Sequence, residues 1–199
     1  MVNTAKLQSY AITYSSNSSG TSSYNPLFAN YASSGGDCQN FASQCIWYGL
    51  GGTNDYSHIH GKSKPMVTGG NHQWYQSDIS GDCSQQWSWT SCTAFGTYIQ
   101  NSSGKEGPNG TIYDGIKDAR VGDLIQFSKN NNSSYDHVYV VVVAANGTQG
   151  SRTPSQLIVC AHTTNRLSCS LAEVYTSKYT WRTIHVTYDW RKADPHPVV

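Results

Sequence analysis

Four small residues, Ser33-Ser34-Gly35-Gly36, run directly into Asp37-Cys38-Gln39-Asn40-Phe41-Ala42-Ser43-Gln44, and this junction constrains the chain more than any other stretch. The first four residues cannot hold a regular element, whereas Asp37 is a good helix N-cap. Phe41, Cys45, Ile46 and Tyr48 then recur at helical spacing. An amphipathic helix is therefore predicted over residues 38–48, stopped by Gly49, Gly51 and Gly52. Its first turn holds Cys38, where backbone N–H groups and the helix dipole favour negative charge. A thiol at such a position has a lowered pKa and a raised thiolate fraction near neutral pH. It is a nucleophile in want of a base.

Around this helix the chain divides into a helical first half and a strand-rich second half. Residues 3–14 predict a short helix with Leu7, Tyr10, Ala11 and Tyr14 on one face, followed by a polar low-complexity linker over residues 15–23. Residues 49–70 have no clear period and read as a long loop. A third helix is predicted over residues 92–100, and residues 101–110 read as disordered. Strands are predicted over residues 121–127, 137–143, 156–162 and 181–188. The run His137-Val138-Tyr139-Val140-Val141-Val142-Val143 is dense enough in β-branched residues for a central strand, and the last strand is expected to close the sheet. Helices first and strands after give an α+β class, one domain over residues 1–190 and a disordered tail over residues 191–199.

Composition narrows the function. Charged residues make up 13% of the 199 positions and the net charge is +1, which argues against nucleic-acid and anionic-membrane partners. No apolar run approaches the ~20 residues of a membrane span. Ser, Asn, Thr and Gly stand where charges usually do, a surface common in exported bacterial proteins. The opening Met1-Val2-Asn3-Thr4-Ala5 is no signal peptide. The expectation is a monomeric secreted or cell-surface protein whose leader has been removed.

A cysteine nucleophile needs a base within hydrogen-bond reach and a third group to orient that base. His137 opens a strand after a polar loop, and His162 ends the following strand. Two strands joined by a turn run antiparallel, so the end of the second lies beside the start of the first. Hairpin geometry thus makes His137 and His162 neighbours, with Asn165 the competitor for the orienting role. The backbone N–H of Cys38 is the natural first oxyanion donor, and Tyr31 or Gln39 is the candidate for a second. Trp74 and Trp89, with Tyr75 and Trp87, serve either as packing aromatics or as a stacking platform for substrate. His58, His60 and His72 share a loop but lack the spacing of a metal site, and no cofactor is implied.

The run Asp37-Cys38-Gln39-Asn40-Phe41-Ala42-Ser43-Gln44 resembles the DCTNFVSQ-like signature of the putative amidase domain family. The same ordered series continues through Asn25-Pro26, Trp74-Tyr75, Ser88-Trp89-Thr90, Gly122-Asp123-Leu124-Ile125-Gln126-Phe127, Asp136-His137 and Ala161-His162-Thr163-Thr164-Asn165-Arg166. The chain is also similar to the NlpC/P60 peptidases and their papain-like relatives. The resemblance covers residues 7–188. It implies a papain-like core, a Cys38–His137–His162 triad, and hydrolysis of an amide or peptide bond through a thioester. The implied substrate is peptide or peptidoglycan-like cell-wall material. An acyltransferase using the same thioester, and a catalytically silent wall- or carbohydrate-binding module, are the alternatives. Gln39 stands where the family usually has Thr.

Six cysteines contain no CxxC pair. Cys83 and Cys92 bracket a turn-rich segment, and Cys160 and Cys169 have the same separation. A disulfide within each pair fits an oxidising compartment, although spacing alone does not establish either one. Cys45 is expected to be a buried small hydrophobe.

Overall fold

A computed structural model describes residues 2–15, 24–53, 66–67, 71–76, 86–145, 147–163 and 166–188. The expected linker beyond Ser15, the tail, His58, His60, Cys83 and Asn165 lie outside the described residues. The elements in chain order are α1 (Thr4–Tyr14), α2 (Cys38–Gly49), α3 (Trp87–Thr90), α4 (Cys92–Gln100), β1 (Pro108–Asp114), β2 (Leu124–Ser128), β3 (His137–Ala144), β4 (Leu157–Ala161), β5 (Arg166–Ser170) and β6 (Thr180–Tyr188). The fold is α+β, with one six-stranded antiparallel sheet ordered β1-β6-β2-β3-β4-β5. No helix among the described residues is long and apolar enough to cross a membrane.

Local chemistry accounts for the helix boundaries. Asn3 caps α1 by accepting the Lys6 N–H at 3.0 Å, and Ser91 caps α4 through the Ala94 N–H. The chain reverses ahead of α2 through Gly35 and Gly36, whose φ angles are +101° and +122°. Glycine reaches that region without the steric penalty a Cβ brings.

Strand alternation divides the core into two faces. Leu124, Val138, Val140, Val142, Cys160, Ile184 and Val186 point toward α1 and α2. Ile125, Phe127, Tyr139, Val141, Val159, Ala161 and Trp181 point the other way, against Ile116, Ala119 and Leu171.

Several sequence-based expectations are corrected. Residues 108–110, read as part of a disordered stretch, open β1; Pro108 is tolerated because it starts an edge strand, where its missing N–H costs no ladder bond. β5 was not foreseen, being short and polar. β6 does not close the sheet but lies inside it, between β1 and β2. Helix α2 is not amphipathic. All its side chains except that of Tyr48 are buried, and its polar residues are paired internally.

Trp74 and Trp89 are completely buried and pack on each other with centroids 4.5 Å apart, so they are core residues and not a surface platform. The Trp89 indole N–H donates to Asn40 Oδ1 at 2.8 Å. Truncating Trp89→Ala removes both the ring and this donor and is expected to cost about 3–5 kcal/mol, read as a lowered urea midpoint. Trp87→Ala, at an exposed position, is expected to change stability by less than about 0.5 kcal/mol.

Candidate active site

The N-terminus of α2 is held by a buried polar node centred on Asp37. Asp37 occupies the N-cap position but makes no side-chain cap bond. Its carboxylate instead accepts the Tyr31 N–H at 2.8 Å and the Asn40 amide at 2.7 Å through Oδ1, and meets His162 Nδ1 at 2.6 Å through Oδ2. Its own N–H donates to Thr163 Oγ1 at 2.7 Å. Residues His162 and Thr163 follow directly on β4, so the end of that strand straps the start of α2 to the sheet.

His162 is thereby fully engaged. Its Nε2 lies 2.5 Å from the Tyr14 carbonyl oxygen, and its ring stacks on Phe41 at 4.1 Å. A carbonyl only accepts, so Nε2 carries a proton there. His162 therefore does not orient His137, contrary to the hairpin expectation. The physical reason is register. Val140 pairs with Cys160, which carries Val138, not His137, opposite position 162. A shift of one residue turns a side chain to the other face. His162 faces α1 and α2, while the His137 ring stands edge-on to Tyr139 at 4.7 Å.

The structure does bring Cys38 and His137 together. The Cys38 thiol is held well below its ordinary pKa, first by a hydrogen bond from Cys92 and then by the hydrogen bond and charge of His137, with the Val138 backbone adding to them; burial opposes all three. The Cys92 thiol is pushed up by its bond to Cys38 and by burial. His137 Nε2 is buried and meets no hydrogen-bond partner among the described residues. The described site is thus a cysteine–histidine pair.

The other predicted residues sort by their contacts. Gln39 is buried, with Nε2 toward Ser43 Oγ and Oε1 accepting from Gln126, so its side chain belongs to a core network. Tyr31 lines a cavity of about 450 Å³ with Ser34, Gly35, Gly36, Trp87, Thr90 and Ser91. That cavity is walled by the two segments that lead into Cys38 and Cys92. Trp87, 78% exposed, supplies its open aromatic face. His72 stacks on Tyr98 at 4.1 Å, and no cluster of three metal-ligating side chains occurs among the described residues. His185 Nδ1 pairs with Asp123 Oδ1 at 2.6 Å.

Neither expected disulfide is present among the described thiols. Cys92, Cys160 and Cys169 are free. Cys160 belongs to the cluster beneath α2 whereas Cys169 packs on the opposite face, so adjacent strands hold them apart. Cys92 is the neighbour of Cys38 that the sequence analysis missed, its sulfur 3.8 Å away. The signal was available: Ser91 caps a helix whose first residue is a cysteine, the same placement that singled out Cys38.

If His162 is a structural pin, His162→Gln will lower the unfolding midpoint but leave the pH midpoint of Cys38 alkylation in place. Removing one partner of the buried pair, as in Asp37→Ala, is expected to cost about 3–5 kcal/mol, measured by urea denaturation.

None of the curated proteins and none of the solved structures compared with the chain matches it. One family model does, described as a putative amidase domain, over residues 1–187. That span includes every residue of the site just described, and the chain belongs to this family of amide hydrolases.

Proposed function

We propose that this protein is a cysteine-dependent amide or peptide hydrolase that works through a thioester, with a papain-like pairing of a helix-borne thiol and a strand-borne imidazole. The feature that carries the reading is the Cys38 thiol at the N-terminus of α2, held below its ordinary range by Cys92 and by the neighbouring His137. His137 holds the proton given up by the thiol. The Cys38 sulfur attacks the amide carbonyl, and the negative charge that develops on oxygen meets the Cys38 N–H, one of the first-turn donors that no helical carbonyl satisfies. His137 then passes its proton to the departing amine. With the imidazole neutral again, it takes a proton from water, which attacks the thioester and frees the acid.

The uncharged cavity lined by the segments that lead into Cys38 and Cys92 suits the acyl part of a neutral, amide-rich substrate, and Trp87 offers it a stacking face. Cell-wall peptide is the substrate that the similarity to NlpC/P60 enzymes favours, and export to the cell surface accompanies it.

Three outcomes are expected. Cys38→Ala and His137→Ala each lower release of amine from peptidoglycan-derived peptides by more than about 10³-fold; full activity in Cys38→Ala ends the reading. Iodoacetamide at about pH 6 labels Cys38 well ahead of Cys169, whose thiol is pushed up to about 11 by burial and then by Glu173. The sign follows from the shifts: a lowered thiol stays ionised as the pH falls below the ordinary thiol range, and a raised one does not. Trp87→Ala raises KM up to about tenfold at unchanged kcat if the ring stacks on substrate.

A further inference from the structure

Cys92 forms and breaks no bond in the reaction above, yet its sulfur lies 3.8 Å from that of Cys38. Both thiols are free and buried, and each opens a helix. The remaining described thiols are placed differently. Cys45 and Cys160 have no exposure, and Cys169 lies on the far face of the sheet.

The two partners are held from separate anchors. Cys38 follows the Asp37 node, which is tied to the end of β4. The Cys92 carbonyl accepts from Gln126 Nε2 at 3.0 Å and from the Arg182 guanidinium at 3.4 Å. Arg182 also donates through Nε to Gln126 Oε1 at 2.9 Å, and its guanidinium carbon sits 3.4 Å from the centre of the Tyr135 ring. Cys92 is therefore fixed to β2 and β6. The fold presents two sulfurs to one another at a spot where any small apolar side chain would fill the space.

We propose that Cys92 is a resolving thiol and that Cys38–Cys92 is a reversible oxidation site. A disulfide requires the sulfurs to close from 3.8 Å to about 2.05 Å. The oxidant is a hydroperoxide. The Cys38 thiolate attacks its oxygen, an S–O bond forms and the O–O bond breaks. Sulfur is oxidised by two electrons, and the departing oxygen takes up a proton as alcohol or water. Cys92 sulfur then attacks Cys38 sulfur; the S–S bond forms, the S–O bond breaks, and hydroxide leaves with the Cys92 proton as water. A thiol reductant reverses the bond by two exchanges. Cys92 thus stops Cys38 from climbing to the irreversible sulfinic acid. Loss of hydrolysis on oxidation rests on the role proposed for Cys38; the bond itself does not.

The test uses the full chain, reduced, treated with hydrogen peroxide, blocked with N-ethylmaleimide and digested without reduction for mass spectrometry. The expected product is a cross-linked peptide pair containing Cys38 and Cys92, with dithiothreitol restoring iodoacetamide labelling of Cys38. In Cys92→Ala, checked for folding by circular dichroism, Cys38 is recovered as sulfinic or sulfonic acid, and dithiothreitol restores less than about a tenth of the labelling. A Cys83–Cys92 bridge, or wild-type Cys38 reaching sulfinic acid as fast as in the variant, overturns the proposal. The peptide map of the wild-type chain decides the matter even if the variant does not fold. An intact cross-link in a chain without amide hydrolysis removes only the reading of function; an active hydrolase without the cross-link removes only this one.

Discussion

The carboxylate of Asp37 is where the loop before α2, the helix itself and the end of β4 meet. It is completely buried, and a buried carboxylate is tolerated only when its oxygens are satisfied. Here a backbone N–H, an amide and an imidazole do so, and the Thr163 hydroxyl takes the Asp37 N–H. The consequence is positional. Cys38 is the next residue, so the node ties the helix start that carries its sulfur to the end of β4, the strand paired with β3. Desolvation makes each of these bonds stronger than it would be in water, and makes the loss of any one more costly.

The same economy of polar contacts runs along α2. Asn40 links Asp37, the Ala29 carbonyl and the Trp89 indole; Ser43 accepts from Trp74 and donates to the Trp89 carbonyl; Gln44 accepts from Tyr10. A helix enclosed on nearly all sides normally lacks polar residues. This one keeps them because they join the thiol-bearing helix to α1, to the loop and to the Trp74–Trp89 layer. Most of the motif is therefore architecture, and Cys38 is the member to which the proposed reaction assigns chemistry.

How much was legible in the sequence depends on how local the governing physics is. The loop-to-helix start at Cys38, the Asn3-capped first helix and the β-branched run from His137 are local, and each was read within a residue or two. β1 and β5 were not, because their pairing partners supply what their polar, turn-like sequences lack. Cys38 with His137 was inferred from chemical need and from helix-on-sheet packing. His162 was misassigned because neighbouring strand ends were known but register was not. Trp74, Trp87 and Trp89 look alike in a sequence; only packing makes two of them core and leaves the third on the rim of a cavity.

The sequence by itself determined that this chain is α+β and that a cysteine sits at a helix start with a histidine opening a β-branched strand. Those follow from backbone propensity and period, which act over a few residues. Only the tertiary structure decided that Asp37 engages His162, that His137 lies near Cys38 without it, and that Cys92 lies beside Cys38. Each of these depends on a one-residue register or on the meeting of segments more than fifty positions apart, and no local preference of the chain encodes either.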